Sequence, residues 1–201
     1  MKKDMKKFLT VLMLCITISG CQGRAVSPAK KVNQSRIEAL VSNLQRDAES
    51  SRSPEDEDGK ISLPGIKVVS RGGVDIVSVS SFWMNKAMKL AARSEGDDNL
   101  KEAASLMKSL KKLMVVSYDD CEEGLKGSFT KKISKALDGC ELLMEARDDG
   151  ESVSIYGVSS KDGKTVEDIV LFTPESHALI CFFGTLDADR FGEFVEKASR
   201  K

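Results

Sequence analysis

Four strand-like segments follow one another between Cys140 and Gly184, and this run constrains the fold more than any other feature of the chain. The segments are CELLMEA, SVSIYGVS, TVEDIVLF and HALICFFG. β-Branched and aromatic residues, which favour strands, are frequent in the last three of them. Asp162-Gly163, between the second and third segments, predicts a hairpin, because both central residues of a type I′ turn need positive φ. Short turns between consecutive strands predict an antiparallel arrangement.

A strand, two helices, a strand and a helix are predicted before this run, and one helix is predicted after it. Period-two alternation predicts a strand over Val74–Ser80, and a short apolar run predicts a buried one over Leu113–Ser117. Apolar residues at helical spacing predict helices in SFWMNKAMKLAAR, between Asn99 and Leu110, from Leu125 to Leu137 and from Asp187 to Lys197. This order predicts an α+β fold, with a mostly antiparallel sheet of about five or six strands and helices packed on one face.

The N-terminus has the layout of a secretory signal peptide. MKKDMKK carries four lysines, and a mostly apolar run from Phe8 to Ser19 follows it. A membrane-spanning helix needs about 20 apolar residues, so this run is too short to be one.

The residues Ile18-Ser19-Gly20-Cys21 resemble the bacterial lipobox. The resemblance implies cleavage between Gly20 and Cys21, with a diacylglyceryl group on the Cys21 thiol and an acylated amine on the new N-terminus. Two or more acyl chains anchor a protein stably, whereas one gives only marginal binding. The alternative is ordinary secretion, with Cys21 in a disulfide.

The predicted organisation has three parts. They are a lipoprotein signal peptide (1–20), a lipid-anchored tether with a possible helix and an acidic loop (21–60), and a single α+β domain (61–201). Without residues 1–20 the chain keeps 27 of its 31 basic and 30 of its 31 acidic residues, a formal net charge of −3. Weak acidity with interspersed signs argues against nucleic acid as a partner. The acidic loop lacks the spacing of an EF-hand calcium loop.

Three cysteines remain in the predicted domain: Cys121, Cys140 and Cys181. An oxidising envelope permits one disulfide, and Cys121 and Cys140 flank a predicted helix. Three separate buried thiols are the alternative, since free cysteine packs as a small apolar residue.

The chain offers little catalytic chemistry. It has no G-x-S-x-G, Walker or dinucleotide motif, and we predict no cofactor and no metal. His177 is the only histidine, and strand alternation puts it on the same face as Cys181. Neighbours four apart on a strand are about 13 Å distant, too far for a Cys-His pair. We therefore interpret His177 as structural.

Other candidates have both a structural and a functional interpretation. The acidic pairs Asp119-Asp120 and Asp148-Asp149 suit general acid/base work, but lie at predicted strand ends, where Asp forms turns. The helix containing Trp83, Met84 and Met88 suits a ligand groove, but its spacing favours the core.

Several segments resemble a known family. They are LKKLMVVSYDD, ELLMEARDDGESVSIYGVSSKDGKTVEDIVLF and ALICFFGTLDADRFGEFVEK. They are similar to an uncharacterised family of Bacteroidetes lipoproteins, defined as a domain of unknown function, over roughly Val74 to Lys197. The resemblance implies an envelope lipoprotein, and it implies no activity and no catalytic residue.

We therefore expect a non-enzymatic, lipid-anchored protein that binds an envelope protein or a small ligand in the periplasm. Gln22 follows the cysteine where an inner-membrane protein carries a retention aspartate, which favours the outer membrane. The alternatives are a hydrolase acting on envelope material through loop carboxylates, and a stress or signalling accessory protein.

Overall fold

The structure, a computed structural model, describes residues 31–51, 59–91, 109–148 and 150–190. The helices and strands in these ranges are α1 (Gln34–Ser50), β1 (Gly59–Leu63), β2 (Ile66–Arg71), β3 (Val74–Ser80), α2 (Ser81–Ala91), β4 (Leu110–Ser117), α3 (Glu123–Leu137), β5 (Glu141–Asp148), β6 (Glu151–Ser159), β7 (Thr165–Thr173) and β8 (Ala178–Asp187). Residues 188–190 are helical.

The eight strands form one open antiparallel sheet in the order β1-β2-β3-β4-β8-β7-β6-β5. Strands β1 to β4 make one half and β5 to β8 the other, each a run of sequential neighbours. The last strand, β8, returns to the centre and pairs with β4, with Val115 opposite Ile180. A single pairing therefore joins the two halves.

Strand β8 is buried on both faces. Leu179, Cys181 and Phe183 belong to one apolar core, and Ile180 and Leu186 belong to another. Successive side chains of a strand point to opposite faces, so each core lies against one side of the sheet. We call the first the α1/α3 face and the second the α2 face, after the helices packed on them.

Helices α1 and α3 cover the α1/α3 face. Asn33 caps α1, because its Oδ1 accepts a hydrogen bond of 2.9 Å from the Arg36 N–H. The buried residues of the two helices are Ile37, Val41, Leu44, Ala48, Phe129, Ile133 and Leu137. On the opposite face, α2 contacts β3 and β4, and its Met84 belongs to the apolar core formed with residues of β4, β6, β7 and β8.

The expected sheet of about five or six strands, with helices on one face, is wrong. The sheet has eight strands, because β1 and β2 form a hairpin before Val74 that sequence patterning did not predict. All five residues of β1 are exposed, so the strand lacks the alternation that marks a half-buried one. Helices lie on both faces because the central strands are apolar on both sides.

Two local expectations also change. The hairpin between β6 and β7 is present, but five residues connect the strands, and only Gly163 of the Asp162-Gly163 pair has positive φ (69°). Asp162 instead accepts hydrogen bonds from Ser160 Oγ and the Lys164 N–H.

Leu110, expected to end a helix, begins β4. The rest of that helix lies outside the described residues, as does most of the helix expected up to Lys197.

The turn between β1 and β2 packs tightly against the start of α2. Gly65 has a φ of 77°, and a Cβ atom there would overlap Ser80 Oγ and lie 2.5 Å from Trp83 Cδ1. The Gly65 carbonyl also accepts a 2.8 Å hydrogen bond from the Ser80 N–H. Glycine is therefore required by the turn and by the ring beside it.

We expect Gly65→Ala to lower the free energy of unfolding by about 2–4 kcal/mol, because the methyl adds a clash to the positive-φ cost of about 1 kcal/mol. Trp83 is the only tryptophan of the chain, so its fluorescence emission should shift as the ring moves. Denaturant unfolding and emission spectra measure both effects.

Gly163→Ala is the matched control, since Gly163 has a φ of 69° and open space around it. The Gly163→Ala variant should lower the free energy of unfolding by only about 1 kcal/mol and leave the Trp83 emission unchanged. Equal losses for the two variants, with no change in emission, would contradict the packing of Trp83 on the turn.

Candidate functional site

A groove of about 570 Å³ lies between α1 and the β1–β4 half of the sheet, on the α1/α3 face. Helix α1 forms one wall with Gln34, Glu38 and Gln45, and strands β1 to β4 form the floor. The volume is within the usual range of small-molecule sites, about 300–1,000 Å³. We take this groove as the candidate site.

Register places polar residues beside one another on the floor. Ser62 pairs with Lys67, and Lys67 pairs with Ser78, so the three form one row across β1, β2 and β3. Ser80 pairs with Lys112 in the neighbouring row. Directly opposed residues have Cβ atoms about 4.5–5.5 Å apart, so the two rows make a compact polar patch.

Glu38 holds one lysine of the patch. Its Oε1 accepts a 2.7 Å hydrogen bond from Lys112 Nζ and a 2.8 Å bond from Gln34 Nε2. The bond from Lys112, and after it the bond from Gln34, lowers the pKa of Glu38 below its ordinary value of 4.5. Glu38 is the only carboxylate among the lining residues that the structure describes.

Two ammonium groups and one amide donor of the groove lining have no partner among the described residues. Neither Lys67 nor Lys111 forms an ion pair with any residue in the described ranges. The Nε2 atom of Gln45 is buried and has no hydrogen-bond partner. A buried donor without an acceptor costs about 1–3 kcal/mol. The groove lining therefore has two positive charges without an ion-pair partner and one buried donor without an acceptor.

Apolar residues line the part of the groove next to the core. Val41 and Met114 are 3 % exposed, and Val69 and Ile76 are 6 % and 7 % exposed. The groove thus joins a polar patch to an apolar one. This combination suits binding of a ligand that has both characters.

The three domain cysteines are free thiols. Burial raises the pKa of the Cys121 thiol to about 11, and burial also raises the pKa of Cys181. Cys121 Sγ lies 3.4 Å from the Gly72 carbonyl oxygen, and Cys140 Sγ lies 3.9 Å from that of Ala136. The thiolate is the reactive form, so Cys121 and Cys181 are poor nucleophiles.

His177 precedes β8 and is not paired with Cys181. Its φ is 48°, its Nδ1 lies 3.2 Å from Asp119 Oδ1, and its ring centroid lies 5.4 Å from that of Tyr118. The Tyr118 N–H donates to the His177 carbonyl at 3.0 Å. The histidine therefore ties the β7–β8 turn to the end of β4, which is the structural role predicted for it.

The remaining sequence candidates are dispersed. Gly20 and Cys21 lie outside the described residues, and so does Asp149. Met84 is 5 % exposed and belongs to the core, as its spacing predicted. Asp120 directly follows Asp119 in the turn after β4.

Two further findings concern the described ranges only. They contain no group of three or more His, Cys, Asp or Glu residues placed to hold a metal ion. No helix within them is long and apolar enough to cross a membrane.

Sequence reasoning missed the groove entirely. The one local signal of the groove is the set of polar positions in β2 and β3, which includes Lys67, Ser78 and Ser80. That pattern is typical of any solvent-facing strand side. Only the pairing of strands and the position of α1 show that these residues lie together.

We expect Glu38→Gln to destabilise the protein at neutral pH, because Lys112 loses its carboxylate partner. A carboxylate with a lowered pKa stabilises the fold above its ordinary value near 4.5 and loses this contribution as the pH falls below it. The difference from wild type should therefore be small at pH 7, because the pair is partly exposed, and should vanish in acid. Thermal unfolding from pH 3 to pH 8 measures it, and a difference that grows toward acid would contradict the pairing.

Residues 72–194 match the profile of a family described as a domain of unknown function (DUF4252). The match contains β3 to β8, whereas α1, β1 and β2 precede it. No curated protein and no solved structure matches the chain. Because the match spans more than half of the sequence, the chain belongs to the DUF4252 family.

Proposed function

We propose that this protein is a non-enzymatic, lipid-anchored module of the bacterial cell envelope that binds a ligand or protein partner. The observation that carries the anchoring is the sequence Ile18-Ser19-Gly20-Cys21 at the end of a short apolar run. Cys21 is then the acylated first residue of the mature chain. The sequence segments that resemble Bacteroidetes lipoproteins would imply the same assignment.

The outer membrane is the proposed site, with the domain facing the periplasm. Gln22, rather than aspartate, follows the lipidated cysteine. Twelve residue steps separate Cys21 from Asn33, which caps α1, and an extended chain of this length reaches at most about 40 Å. Helix α1 and the groove beside it would therefore stay near the bilayer.

The groove supports a binding role. It has a sizeable volume, an apolar end, uncompensated ammonium groups and a donor without an acceptor. An envelope hydrolase of the kind considered above needs two converging carboxylates. Among the described lining residues, Glu38 stands alone and is paired with Lys112.

Replacement of Cys21 tests the anchoring. We expect Cys21→Ala to abolish incorporation of radiolabelled palmitate and to move the protein from the detergent phase to the aqueous phase of a Triton X-114 extraction. The reason is that the thiol is the acceptor of the lipid, and without acyl chains the domain has no stable anchor.

Cys15→Ala is the matched control, because Cys15 lies in the same apolar run but not in the lipobox. It should leave labelling and partitioning unchanged. Palmitate labelling of Cys21→Ala at the wild-type level would contradict the proposal that Cys21 carries the lipid anchor. Protease added to intact cells should leave the domain uncut, and its removal would overturn the periplasmic orientation.

A further inference from the structure

We propose that the groove binds an anionic head group, a carboxylate or a phosphate, that carries an apolar stem. This deepens the binding role proposed above and rests on it. The charge balance of the lining is the first argument. The lining contains Lys67, Lys111 and Lys112 but a single carboxylate, Glu38, which is paired with Lys112, so the described lining keeps two positive charges beyond the ion pair.

The arrangement of donors is the second argument. Strand register puts Lys67 between Ser62 and Ser78 in one row, and Ser80 lies in the next row. Ammonium and hydroxyl groups that converge on one place suit an acceptor-only oxyanion. Hydrogen bonds to ionised groups are about twice as strong as neutral ones, so these donors discriminate anions from neutral ligands.

Gln45 is the third argument and is independent of the lysines. Gln45 lies in the wall opposite the polar rows, and its Nε2 is buried there without an acceptor among the described residues. Buried polar side-chain atoms normally have a partner. Rotation of the Gln45 side chain toward the groove would bring this amide to an oxygen of a bound anion, which would supply the acceptor that it lacks.

The apolar end of the groove is the reason for proposing that the ligand carries an apolar stem. Val69 and Ile76 pair across β2 and β3, and they form the next pair after Lys67–Ser78 on the same face of the sheet. Met114 is the neighbour of Ser78 on β4. A ligand whose head contacts Lys67 would extend its stem over these side chains and remove apolar surface from water.

Calorimetric titration of the full-length chain in phosphatidylcholine nanodiscs tests the proposal. The probes are hexanoate, hexyl phosphate, inorganic phosphate and hexyltrimethylammonium. We expect both anionic amphiphiles to bind, the cation not to bind, and inorganic phosphate to bind more weakly than hexyl phosphate. Equal affinities for the anionic and cationic probes, or no binding of the anionic ones, would overturn the proposal. Equal affinities for hexyl phosphate and inorganic phosphate would show that the apolar stem contributes nothing to binding and would overturn that part of the proposal.

Variants locate the binding. Lys67→Met should weaken hexyl phosphate binding at least about tenfold, because it removes a charge-assisted bond, and Lys67→Arg should retain most of the affinity. Gln45→Glu should weaken binding as well, since it places a negative charge in the wall. Lys161→Met, in the exposed β6–β7 turn, is the control and should bind as wild type does. Unchanged affinity in Lys67→Met would place the anion elsewhere.

Nanodiscs of different lipid composition distinguish two sources of the anion, a membrane lipid and a free periplasmic ligand. If a membrane lipid supplies the head group, nanodiscs containing phosphatidylglycerol should lower the apparent affinity for hexyl phosphate by competition. If the ligand is free in the periplasm, the two kinds of disc should give the same affinity. Acylation of Cys21 is measured separately, so failure of the anchor and failure of the groove give different results.

Discussion

The pairing of β4 with β8 is the contact on which the rest of the structure depends. Every other strand pair joins sequential neighbours, whereas this pair brings the end of the described chain back to its middle and unites the two halves. Both strands are apolar on both faces, with Met114 and Val116 on one side and Leu113 and Val115 on the other. Each face therefore needs a cover, and α1 with α3 supplies one while α2 packs on the other.

The groove follows from an incomplete match between α1 and the sheet beneath it. The inner residues of the helix share one apolar core with residues of β3 and β4, whereas Gln34, Glu38 and Gln45 line the groove above strands that carry lysine and serine there. Polar pairs such as Lys67–Ser78 do not close against the helix, so a space remains. The groove is built largely from α1, β1 and β2, which precede the part of the chain that matches the family. Membership of the family therefore does not indicate what the groove binds.

Sequence reasoning succeeded where burial is regular. The late run of strands, the helix from Leu125 to Leu137 and the core position of Met84 followed from the periodicity of their apolar residues. It failed at β1, because an exposed edge strand has no buried face and so no pattern. The groove could not be predicted, because its residues are brought together by cross-strand register, which is set by turns such as that at Gly65.

Amide hydrogen exchange of the native protein, followed residue by residue, tests most directly whether the β4–β8 pairing unites one cooperative sheet. If it does, β4 and β8 should exchange most slowly and at a common rate, because they open only when the whole sheet opens. The edge strands β1 and β5, each with one neighbour, should exchange much faster. Exchange of β4 and β8 as fast as that of the edge strands would contradict the account.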